Sequence, residues 1–153
     1  MRHRIAVVIS PQTFSIRQPE NRDEIARCFE VLCELRPHLE VEEFVRQVER
    51  QRREHGYALV LLESEGVIRA VAGFRLCECL AWGRFLYVDD LCTRASDQRR
   101  GFGSWLFDWL VQFARNQGCQ QLHLDSGLQR HAAHRFYARK GMDLTSHHYA
   151  MKL

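Results

Sequence analysis

The chain reads as a mixed α/β protein, and three observations predict this. Apolar runs of strand length, Tyr57-Ala58-Leu59-Val60-Leu61-Leu62-Glu63 and Val67-Ile68-Arg69-Ala70-Val71-Ala72-Gly73-Phe74, flank Ser64-Glu65-Gly66, a hairpin signal. A third run, Phe85 to Thr93, follows the turn Ala81-Trp82-Gly83. The glycine-containing stretch Asp97-Gln98-Arg99-Arg100-Gly101-Phe102-Gly103-Ser104 then leads into a strong helical pattern and a further short strand. A strand–helix–strand crossover supplies a parallel pair in a sheet that is otherwise antiparallel. The expected architecture is a central, mostly antiparallel twisted sheet with that parallel pair at a ligand cleft, flanked by helices.

The remaining elements follow in order. Residues 1–12 read as a loosely held extension, and residues 13–153 as one domain. Thr13 to Arg17 alternates as a first strand. Ile25, Cys28, Phe29, Leu32 and Leu35 recur at helical spacing, with Asp23 as the expected N-cap and Pro37 as the stop. Val41, Phe44, Val45 and Val48 mark one face of a second helix that ends before Gly56. After the glycine turn a helix runs through Ala114 to Gly118, and Gln121 to Asp125 is a short strand. A last helix carries Ala133, Phe136 and Tyr137 and stops near Gly141, and about Asp143 to Lys152 is expected to form one closing strand or a hairpin arm.

Bulk properties narrow the function. At 153 residues the chain can bury a sizeable core, and 46% hydrophobic with 27% charged residues is ordinary for a globular protein. A net charge of +3 agrees with an anionic ligand, and it is too small to demand nucleic acid. No apolar segment is long enough to span a bilayer, and Ile5 to Ile9 is too short for a signal-peptide core, so a cytoplasmic location is expected. The six cysteines (Cys28, Cys33, Cys77, Cys79, Cys92, Cys119) read as reduced, mostly packed thiols. Cys77 and Cys79 with His147 and His148 lack the second close cysteine pair of a zinc site, so no metal is expected.

The glycine turn carries the chemistry. A helix N-terminus leaves orphan N–H donors and the positive end of the helix dipole, which favour an anion. Gly101 and Gly103 let a phosphate approach the backbone closely. Arg99 and Arg100 add charge beside it.

Two motifs in this order resemble the GNAT superfamily of acetyl-CoA-dependent N-acetyltransferases. Gln98-x-x-Gly101-x-Gly103 is similar to the family's pyrophosphate loop, and Ala133-x-x-Phe136-Tyr137-x-x-x-Gly141 to its late-helix signature. The element order matches over residues 13–153. Arg130 stands where the signature often opens with Asn, and Met142 where Phe commonly follows the last glycine. The resemblance implies acetyl-CoA as co-substrate. It implies pyrophosphate contacts from Gln98, Arg99, Arg100, Gly101, Phe102, Gly103 and Ser104, and pantetheine pairing along Leu91, Cys92 and Thr93. Ser126, Arg130 and Ala133 are further cofactor contacts on the same grounds.

An alkyl ammonium with a pKa of about 10 must lose a proton before it attacks a thioester. The resemblance gives the base role to an acid on the central strand, here Asp89 or Asp90. Adjacent strand residues point to opposite faces, so one of the two is expected to look into the site, and Asp89 is the choice. Tyr137 takes the role of acid toward the departing thiolate. Asp125 is a further candidate for substrate contact. The expected partner is a small-molecule or peptide amine, with no nucleic acid and no membrane, and homodimers are common in the family. A non-catalytic acyl-CoA-binding sensor of the same fold is the alternative reading.

Overall fold

Six strands lie side by side in the order in which the chain makes them: β1 (Val8–Ser10), β2 (Phe14–Arg17), β3 (Tyr57–Ser64), β4 (Val67–Cys79), β5 (Gly83–Thr93) and β6 (Gln121–Leu124). The helices are α1 (Arg22–Leu32), α2 (Val41–Glu54), α3 (Phe102–Asn116) and α4 (His131–Arg139). The computed structural model describes residues 8–10 and 13–153. These fall into two compact units, one ending at His123 and the other running from Leu124 to Leu153.

Each pair from β1–β2 to β4–β5 is antiparallel. β6 reaches its place beside β5 through α3, the crossover that a parallel pair requires and a hairpin cannot supply. Within the first unit, period-two alternation sorts the core into two layers. Tyr57, Leu59 and Leu61 of β3 pack with Ile25, Cys28 and Val31 of α1 and with Phe44, Val45 and Val48 of α2. Phe74 of β4 meets the rings of Trp109 and Phe113 on α3 edge-on. The helices α1 and α2 therefore serve one face of the sheet, and α3 the other.

Several expectations are corrected. Val8–Ser10, assigned to an extension, form an edge strand on β2, and the other residues of that segment lie outside the described ones. The N-cap of α1 is Asn21, whose side chain accepts from Glu24 N at 3.0 Å, and not Asp23. Asp23 and Glu24 instead occupy the first turn, where acids favour the helix dipole. Asp143 to Lys152 forms no strand, and Leu144, Tyr149 and Met151 stay exposed. Alternation specifies which side chains a strand would bury, but a ladder also needs a partner edge, which the pattern does not encode.

One irregularity shapes the site. The β4–β5 register is Gly73↔Asp90 on one side and Phe74↔Val88 on the other, so Asp89 is the extra residue of a β-bulge. Gly73 sits beneath Tyr57: a Cβ on it would lie 1.8 Å from the Tyr57 hydroxyl oxygen. Gly73→Ala must expel that ring, and overpacking of this kind costs about 1–3 kcal/mol. Denaturant unfolding of the variant is expected to show a loss at the upper end of that range.

A second prediction concerns acid stability. The Arg17 guanidinium donates to both Glu24 oxygens at 2.6 and 2.7 Å. Despite partial burial, that pairing and the Glu20 N–H hold the Glu24 carboxyl down at about 2. A depressed carboxyl stabilises the fold above its unfolded pKa and loses that stabilisation as pH falls through the folded value. The stability gap between the protein and Glu24→Gln is expected to be about 2–3 kcal/mol near neutrality and to shrink between pH 4.5 and 2 in pH-dependent unfolding.

Candidate active site

The glycine turn builds an anion cradle. Arg99 has φ +64° and Gly101 φ +92°, both left-handed, with Gly101 as the N-cap of α3. Gly101 offers no capping side chain, and the first turn of α3 holds no acid, unlike those of α1 and α2. The N-cap itself thus adds no side-chain acceptor at this end, in a left-handed turn of the kind that makes anion-binding concavities. Gly103 is required by a close approach: a Cβ there would stand 2.7 Å from the Thr93 hydroxyl. Ser104 and Gln98 flank the turn.

One buried carboxylate anchors this turn. Asp97, 1% exposed, closes a single 3₁₀ turn (Ala95–Asp97). It accepts from Arg69 Nη1 at 3.0 Å, Arg94 Nε at 2.7 Å and Arg100 Nη1 at 2.6 Å. Burial opposes its ionisation, but hydrogen bonds from Arg94 and Arg69 prevail and hold its carboxyl below the ordinary value. The Arg69 and Arg100 guanidinia both approach the Phe102 ring, at 5.8 and 5.2 Å from its centroid. Arg100 is thus a strut of the turn, whereas Arg99 makes no side-chain ion pair among the described residues.

Leu91, Cys92 and Thr93 end β5 and pair with Ala72, Val71 and Ala70 of β4. β6 has four residues and starts level with Arg84, where Gln120 N donates to Arg84 O at 2.8 Å. Leu91 to Thr93 thus lie beyond the reach of β6 along the strand. The Cys92 thiol donates to Val31 O at 3.3 Å and is a packing group. All six cysteines are free, and burial pushes the Cys28 thiol up to about 12, which keeps it inert.

At the bulge the two aspartates depart from the expected alternation. Arg75 Nε and Nη2 donate to Asp89 at 2.9 and 2.7 Å. The Tyr57 hydroxyl and Arg36 Nε each donate to Asp90 at 2.8 Å. Arg75 and Tyr57 are opposite one another in the β3–β4 register and so share a sheet face. The extra residue therefore sends both carboxylates to the α1–α2 face, not one to each side. Arg36, from the α1–α2 connection, also donates to Asp89 O at 2.9 Å and ties that connection to the bulge. Burial, with Asp90 alongside, pushes the Tyr57 hydroxyl well above its usual pKa, so it stays a donor. Each of the four carboxylate oxygens already accepts a hydrogen bond.

In the second unit, the Ser126 hydroxyl is buried without a hydrogen-bond partner. Asp125 is exposed, with His148 Nδ1 at 3.5 Å. Arg130 is the exposed N-cap of α4, with φ −88° and ψ 61°, so it stands outside the helix whose half-buried face carries Ala133 and Tyr137. His134 Nε2 lies 2.8 Å from Gly127 O and steadies the turn before α4.

Sequence reasoning missed Arg36, Tyr57, Arg75 and the anchoring role of Asp97. Arg94 and Arg100 each stand three residues from Asp97, a charge spacing that signals its role. No local pattern signals the other three, because their partners lie on distant strands.

A sheet with a helix crossover and a glycine turn opening α3 offers a place for an anionic ligand beside a polar bulge on β5. The sequence profile of the Acetyltransferase (GNAT) family matches residues 19–142, and the chain belongs to that family. It is an acyltransferase, and acetyl-CoA is the family's co-substrate. A Bacillus subtilis (strain 168) relative described as an uncharacterized N-acetyltransferase, YhdJ, is 33% identical over 125 residues, 82% of this chain and 88% of the relative. The aminoglycoside N-acetyltransferase AAC(6')-Iy in complex with CoA shares the fold, with a TM-score of 0.79 at 15% identity over 95% of this chain and 98% of that one. A Bacillus halodurans C-125 structure described as a transcriptional regulator gives a TM-score of 0.79 at 20% identity over 92% and 99%. No helix among the described residues is long and apolar enough to cross a membrane.

Within the first unit the residues fit a CoA co-substrate on one observation, the glycine turn opening α3, where Gly101 supplies no capping side chain and Gly103 packs too closely on Thr93 to carry a Cβ. Removing Asp97 leaves three guanidinia around a buried vacancy of charge, and breaking such a pair costs about 3–5 kcal/mol. Asp97→Ala is expected to lose that much in denaturant unfolding. Arg100→Gln is expected to weaken CoA binding less than Arg99→Gln does, as read by calorimetry.

Proposed function

We propose that the protein moves the acetyl group of acetyl-CoA to a primary amine of a small molecule or peptide by direct attack. The observation that carries this reading is the uncapped, left-handed glycine turn opening α3, next to the end of β5. Backbone N–H groups from Arg99 to Ser104 hold the pyrophosphate, with charge from Arg99. Leu91, Cys92 and Thr93 line the pantetheine arm, and a backbone N–H near Leu91 stabilises the oxyanion that develops on the thioester carbonyl. Ser126, Arg130 and Ala133 complete the cofactor contacts.

The amine loses a proton before it attacks. Asp89 is the better base of the pair, because its side chain is 24% exposed against 13% for Asp90, so a relaying water reaches it. Tyr137 gives a proton to the departing thiolate, a role assigned on the late-helix signature alone. Acetyl transfer forms the C–N bond and breaks the C–S bond, and the amine's proton and the tyrosine's balance the two.

Full engagement of all four carboxylate oxygens favours one other reading, a non-catalytic acyl-CoA-binding module. Thiol release from acetyl-CoA across an amine panel separates the two. Turnover with any amine supports the transferase, and tight acetyl-CoA binding without turnover supports the sensor. Tyr137→Phe is expected to lower turnover tenfold or more with little change in acetyl-CoA affinity. Unchanged turnover would remove Tyr137 from the mechanism.

A further inference from the structure

The acceptor side of the bulge is built as a sandwich of charges with the positive layer outermost. Asp89 and Asp90 are neutralised one for one by Arg75 and Arg36. The side chains of Arg36 and Arg75 are 39% and 37% exposed, well above those of the carboxylates beneath them. A guanidinium carries five N–H donors. Each of these two spends only Nε and Nη2 on the bulge, and among the described residues neither Nη1 has a hydrogen-bond partner. Arg75 is further fixed by the Tyr87 ring, 5.5 Å from its guanidinium carbon. Arg36 is fixed by its two bonds to the bulge. Both free donor edges are therefore preorganised, on one sheet face and on partners adjacent in sequence.

From this we infer that the acceptor amine also carries an anionic group, a carboxylate or a phosphate, which binds the outward edges of Arg36 and Arg75. The inference rests on the acetyltransferase reading and names its substrate class. An acceptor whose only charges are ammonium groups meets guanidinia before it meets either carboxylate. An anionic acceptor gains charge-assisted hydrogen bonds from donors that are already ordered. The ammonium end is left to Asp89, the more exposed of the two carboxylates.

Matched acceptors test this. An α-amino acid is compared with its amide, an aminoalkyl phosphate with the corresponding amino alcohol, and both with a polyamine. Thiol release is measured at saturating acetyl-CoA, and calorimetry on the CoA-loaded protein measures binding of each acceptor. The anionic member of at least one pair is expected to exceed its neutral partner tenfold or more in kcat/KM or in affinity. The pair that shows the preference identifies carboxylate or phosphate. Arg36→Gln and Arg75→Gln are each expected to cut that ratio at least threefold without raising the KM for acetyl-CoA, and Arg36→Lys and Arg75→Lys to keep most of it. Equal or better use of the neutral or polyamine acceptors overturns the inference, as does a preference that survives both glutamine variants. An anion preference in binding without turnover of any acceptor would uphold it and overturn the transferase reading instead.

Discussion

The hydrogen bond from the Tyr57 hydroxyl to Asp90 is the constraint on which the site depends. It forms because Gly73 has no side chain, which leaves the ring room to lie across β4 and reach β5. A buried phenol needs a partner, and a buried carboxylate needs more than one. Asp90 meets both needs with Tyr57 below and Arg36 above. The bulge at Asp89 is what brings this carboxylate, and its neighbour, to the α1–α2 face. Through Arg36 the same carboxylate pins the connection between α1 and α2. A local defect in one strand pair thus fixes the position of a loop 54 residues earlier in the chain.

The glycine turn rests on a second carboxylate by the same logic. Asp97 is buried, and burial alone would make its charge costly. Three guanidinia from β4, from the N-cap of the 3₁₀ turn and from the glycine turn itself offset that cost. They also link the turn to the sheet, because Arg94 N donates to Arg69 O at 2.8 Å. The result is a turn held by its side chains to the sheet, with no capping side chain at Gly101. Arg99 takes a left-handed conformation that a side chain resists, and the ordered surroundings sustain it.

Most of the fold was legible in the sequence, and the reason is periodicity. The run from Tyr57 to Thr93, the apolar faces of α1 and α2, and the glycine turn before α3 are each encoded within a few residues. The turn and the late-helix signature together pointed to the family, which the profile match bears out. What escaped was non-local. Alternation put Asp89 and Asp90 on opposite faces, because a bulge depends on the partner strand and leaves no mark on its own. The expected closing strand at Asp143 to Lys152 falls in a segment that has no ladder. Arg36 escaped because its worth lies in a carboxylate on a distant strand.

The two ends of this half of β5 differ in their charge balance, and that difference bears on which substrate sits where. Beside the glycine turn Asp97 and the more distant Glu65 face three arginines, an excess of one positive charge next to the N-terminus of α3. At the bulge two aspartates face two arginines, a balance. A diphosphate is drawn to the first end and gains little at the second. On the inference drawn above, an acceptor bearing both an ammonium and an anion would suit the second, where charges of both signs stand in adjacent layers. On the proposed reading, the order of charges from the bulge to the glycine turn would set the direction in which donor and acceptor meet, with the thioester carbonyl between them near the backbone of Leu91.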